Sequence, residues 1–88
     1  MKKVMQVQEV EGEGLESLLG QYVLIYSINY LYSGKLMGVN THDILLEEAS
    51  IVYDTGDHFA KSFARAEPLP SPLYVRIAAI ESYQKRNF

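Results

Sequence analysis

The apolar residues of this chain fall in short runs separated by turn residues, and only one stretch has helical spacing. Leu15, Leu18 and Leu19 stand at i, i+3 and i+4, which predicts a short helix with one leucine face. Glu13 and Glu16 lie near its N-terminal end, where the helix dipole favours negative charge. Gly20 is placed to end it in the left-handed conformation. So short a helix is not stable alone, so its leucines must dock, and the open end of a barrel would serve. Tyr-Val-Leu-Ile-Tyr at 22–26 follows at once and reads as a central strand, being β-branched, aromatic and apolar on both faces. Residues 27–30 predict a hairpin turn in which Asn29 tolerates positive φ. A second strand over 31–39 is interrupted by Gly34 and Gly38, which mark bends or bulges of the kind that close a small barrel.

After a polar loop at 40–43, a third strand is predicted over 44–53 and a turn over 54–57, where Gly56 supplies positive φ. Residues 58–66 fit either an extended edge or a helix with Phe59 and Phe63 on one face. Glu-Pro-Leu-Pro-Ser-Pro at 67–72 lacks three backbone donors and is a loop or an edge. Two short strands complete the pattern, 73–77 and 80–83, on either side of Ala78 and Ala79. The expectation is a mostly β domain: a short N-terminal helix, then a strongly bent five-stranded antiparallel sheet forming a small barrel. Residues 1–14 read as an arm, 15–83 as the domain with an insertion at 54–72, and 84–88 as a tail.

Composition narrows the picture. A chain of 88 residues is one domain with a thin core. Without cysteine it has neither disulfides nor a thiolate metal site, so oligomerisation is the remaining common reinforcement. No apolar run approaches the roughly 20 residues that cross a bilayer, and no membrane partner is expected. The start, Met1 to Gln6 followed by glutamates, lacks a signal-peptide core, so a cytoplasmic protein is expected. The net charge of −3 is uneven: residues 1–57 hold three Lys/Arg against nine Asp/Glu, and 58–88 hold five against two. This excludes a uniformly basic nucleic-acid binder but leaves room for a local basic strip. Lys61, Arg65, Lys85 and Arg86 could form one, or could be ordinary solvated charge.

Catalytic chemistry finds no support. Glu47 and Glu48 are adjacent on a strand and point to opposite faces unless a bulge intervenes. His42 and His58 have no metal-ligand spacing, there is no glycine-rich phosphate loop, and no serine sits in a nucleophile motif. Neither catalysis nor a cofactor is expected. Of the seven tyrosines, those at 22, 26, 30 and 32 cluster. Interleaved tyrosines can be stacking platforms, though such residues also build barrel walls and interfaces.

One family pattern runs through the chain. Leu-Glu-Ser-Leu-Leu-Gly at 15–20 precedes Val23 and Ile25, then come Gly-Lys-Leu-Met-Gly-Val-Asn at 34–40, Ile-Leu-Leu-Glu-Glu-Ala at 44–49, and Val75-Arg76 with Ile80 behind. In order and spacing these resemble the helix, first motif and second motif of the Sm/LSm family, including its Hfq branch. The departures are Tyr30 near the place of the first hairpin's glycine, Asn40 in place of an aspartate, and Ile77 beside Arg76 in place of a glycine. The resemblance implies a subunit of a homo-oligomeric ring that binds single-stranded RNA at its pore. His42 and Arg76 would then stack on bases, and Asn40, Thr41 and Asp43 would read base edges. The bland alternatives are a polar turn at 40–43 and an arginine in an inter-subunit ion pair with Glu81. The family pairs its fourth strand with the fifth of the next subunit, which would place Tyr74, Val75, Ile77, Ile80 and Tyr83 at the interface. An Sm-like barrel that only assembles proteins is the competing function.

Overall fold

The computed structural model describes residues 12–54, 63 and 65–87. Among these the protein is mostly β: strands β1 (Tyr22–Ser27), β2 (Leu31–Val39), β3 (Asp43–Asp54), β4 (Arg65–Pro68), β5 (Leu73–Arg76) and β6 (Ile80–Lys85) form one antiparallel sheet. The order is β4-β3-β2-β1-β6, with β5 also paired to β3. Six strands replace the expected five because β3, at 12 residues, outruns any one neighbour. Its first residues, Asp43 to Leu46, pair with β5, and its last, from Ser50, pair with β4. The proline-rich stretch divides: Glu67 and Pro68 belong to β4, residues 69–72 are loop, and Leu69 N–H donates to Ala49 C=O (2.8 Å).

The sheet is not closed into a barrel. Among the described residues, β5 has ladder bonds only to β3 and β6 only to β1, and the 3-10 turn Ile77–Ala79 joins them without pairing. The N-terminal helix is also corrected. It is a single 3-10 turn, Leu15–Leu18, bounded by Gly14 (φ 85°) and Gly20 (φ 83°). With three residues per turn, Leu15 and Leu18 eclipse and both pack on the core, while Leu19 rotates out and is 47% exposed. The core they meet is Val23, Ile25, Leu36, Ile44, Leu46, Ala49 and Val75.

The first hairpin turns without a left-handed Asn29; Glu48 is the one described non-glycine with positive φ. Ser27 closes the turn instead. Its Oγ donates to Tyr30 C=O (2.6 Å) and accepts from Tyr30 N–H (3.2 Å). The two strand glycines behave as expected: the β2–β3 register shifts between Ser33 and Lys35 and between Leu36 and Gly38. The bend of β3 falls at Glu48 (φ 50°), between its β5-paired and β4-paired halves, and both Glu47 and Glu48 are exposed. The arm to residue 11, the turn beyond Asp54, His58 and Lys61 lie outside the described residues.

Candidate functional site

The 40–43 loop connects β2 to β3, and its conformation is set by its own end residues. Asn40 N–H donates to Asp43 C=O (2.8 Å), and Asn40 Nδ2 donates to Asp43 Oδ1 (2.7 Å). This double clamp holds Thr41 and His42 at an exposed tip. The antiparallel ladder sets Asp43 directly opposite Arg76. One step on, Ile77 N–H donates to His42 C=O (2.9 Å), so the 3-10 turn after β5 is tied to the loop.

These bonds surround an open hollow of about 620 Å³ lined by Thr41, His42, Asp43, Arg76, Ile77 and Ala78. Four of the five residues singled out for base contact, Thr41, His42, Asp43 and Arg76, thus meet although far apart in sequence. Asn40 does not line the hollow, and its amide is engaged in holding Asp43. A flat imidazole and a flat guanidinium, both exposed, can lie against a planar group, with the Thr41 hydroxyl and the second Asp43 oxygen left to meet its polar edge.

Arg76 also lines a second open hollow, of about 270 Å³, between the β1–β2 turn and β5. Ile28, Tyr30, Tyr32 and Tyr74 face it. Ile28 is 67%, Tyr74 62% and Tyr30 50% exposed, and the Tyr30 and Tyr32 rings lie 6.0 Å apart. The tyrosine cluster is visible in the sequence, but its convergence with Tyr74 is not, because β5 comes beside the first turn only in the folded sheet. Of the residues expected at a subunit interface, Tyr74 and Tyr83 are exposed, Ile77 and Ile80 pack partly against the core, and Val75 is buried within it. Val75 can therefore offer a neighbour only its backbone.

Of the four basic residues weighed as a strip, Arg65 lies over the Tyr53 ring (5.2 Å to its centroid), and Arg86 lies over Tyr22 (4.4 Å). The Tyr22 hydroxyl donates to Glu48, which raises its pKa above the ordinary 10.0; partial desolvation and the Glu48 charge add to this and Arg86 opposes it. Tyr53 is raised in the same way, chiefly by its bond to Glu67 (3.2 Å). Among the described residues, no three His, Cys, Asp or Glu side chains are grouped to hold a metal ion, and no helix is long and apolar enough to cross a membrane. No family model, curated protein or solved structure matches the chain.

Proposed function

We propose that this chain is an Sm-like subunit of a homo-oligomeric ring that binds single-stranded RNA around its pore and catalyses nothing. The observation that carries this reading is the meeting of Thr41, His42, Asp43 and Arg76 at one hollow. A mostly β chain with an antiparallel sheet in the order β4-β3-β2-β1-β6 is compatible with that reading. The strands that would pair between subunits, β5 and β6, each have ladder bonds on one side only among the described residues. Unpaired edges are an aggregation hazard that a closed ring removes. His42 and Arg76 cover the faces of a base, Thr41 and Asp43 contact its edge, and Asn40 positions Asp43.

Uridine-rich or adenine-rich oligonucleotides should bind at low salt, and affinity should fall about tenfold or more in His42→Ala and in Arg76→Ala, as lost stacking of ~1–3 kcal/mol per base requires. Fluorescence anisotropy measures this, and affinity should decrease as salt rises. A second reading is an assembly module that binds protein alone. The exposed apolar group of Ile28, Tyr30 and Tyr74 favours it, as does the net charge of −3 per chain. It prevails if the wild type binds no single-stranded pool at low salt.

A further inference from the structure

We infer that the Arg86 side chain is a strap that ties the end of the chain to the bend of β3 and so holds the β3–β5 ladder in register. Arg86 follows the last strand, and its backbone N–H extends the β1–β6 ladder by donating to Tyr22 C=O (2.9 Å). Its side chain then crosses β1. The guanidinium lies 4.4 Å from the centroid of the Tyr22 ring, and Nη1 donates to Ser33 Oγ on β2 (3.1 Å). Ser33 is 1% exposed and is the polar residue buried among the described residues. Arg86 therefore both crosses three strands and supplies a donor to a hydroxyl that would otherwise be costly to bury.

The relay continues to a fourth strand. Tyr22 donates its hydroxyl to the Glu48 carboxylate, and Glu48 is the residue at which β3 bends. Tyr22 and Leu24 alternate with the core residues Val23 and Ile25, so the strap runs over the sheet face away from the core cluster. A left-handed glutamate costs about 1–2 kcal/mol and persists only where its surroundings hold it. The Tyr22 bond is a side-chain contact that Glu48 makes in this conformation. Four positions before Glu48, Ile44 pairs with Val75, beside the Asp43–Arg76 pair at the candidate hollow. The conformation of Glu48 thus sets the direction in which β3 leaves toward that pair.

Residue-resolved hydrogen exchange on the full chain tests the strap without any ligand. In Arg86→Ala, amides of residues 43–46 and 73–76 should exchange about tenfold faster, together with those of β6. Arg86→Lys keeps the charge but not the planar stack and should give a smaller rise at the same positions. Tyr22→Phe removes only the hydroxyl; it should speed exchange at 43–46 and leave β6 unchanged. Should Arg86→Ala fail to fold, the other two variants carry the test. Acceleration confined to β6 and β1, or no change at 43–46 in Tyr22→Phe, overturns the inference. Its consequence for RNA, weaker oligonucleotide binding in Arg86→Ala, rests on the function proposed above. A wild type that binds no oligonucleotide would overturn that function and leave the exchange result standing.

Discussion

The Tyr22 hydroxyl shows how one side chain can make stability depend on pH. Its bond to Glu48 favours the neutral phenol, so its pKa in the folded chain lies above the unfolded value of 10.0. The stabilisation is then fully present below about pH 10 and is lost as pH rises through the higher folded value. Tyr53, bonded to Glu67, acts in the same sense. Urea titrations from pH 8 to 11 should show the wild type losing stability on the alkaline side, and Tyr22→Phe losing less. An identical alkaline loss in that variant would show that the Glu48 bond does not matter in solution. At the candidate hollow the residue scale separates roles that composition could not. Asn40 and Asp43 are both small polar residues at the ends of the loop that holds His42, yet one clamps and the other is clamped.

At the scale of the strand, β2 is governed by its glycines. A Cβ on Gly34 would stand 3.1 Å from Glu47 C=O, 3.1 Å from the Leu46 Cβ and 3.2 Å from the Ala49 Cα. Two of these are backbone atoms that cannot rotate away, so β3 must shift to admit even a methyl group. Gly34→Ala should cost about 1–3 kcal/mol by urea denaturation, the range for overpacking a tight core. Gly38, with a 3.4 Å approach to the Leu45 side chain, should tolerate the same change at less cost. The glycines announced the bends of β2 in the sequence. The bend of β3 was not legible, because Glu48 carries no such mark. The fourth strand was hidden for a related reason: Arg65–Pro68 is exposed throughout, so no alternation of apolar residues betrays it.

For the whole molecule, the open question is what covers its edges. Charge is segregated along the chain, with nine acids against three bases in residues 1–57 and two against five beyond. In the fold the two segments interleave, β6 lying on β1 and β4 and β5 on β3. Pro68, Pro70 and Pro72 strip donors just before β5, leaving residues 73–76, in addition to the open edge of β6, as a short window where another strand can add. Light scattering should return a multiple of the 10.0 kDa chain mass, and Tyr74→Glu, placing charge on that window, should shift the mass downward. A monomer at every concentration would exclude the ring.

The sequence alone determined the class of the fold and most of its punctuation. Short β-branched and aromatic runs between turn residues favour strands, proline removes a backbone donor wherever it stands, and Gly20 follows the first turn at positive φ. His42 and Arg76 were legible as candidates by residue type and family pattern. That they share a hollow, that Arg76 borders a second one, and that the sheet stays open between β5 and β6 were decided by tertiary structure. Each depends on the strand register and on the β3 bend, both set by packing between residues far apart in the chain, which local propensity does not encode.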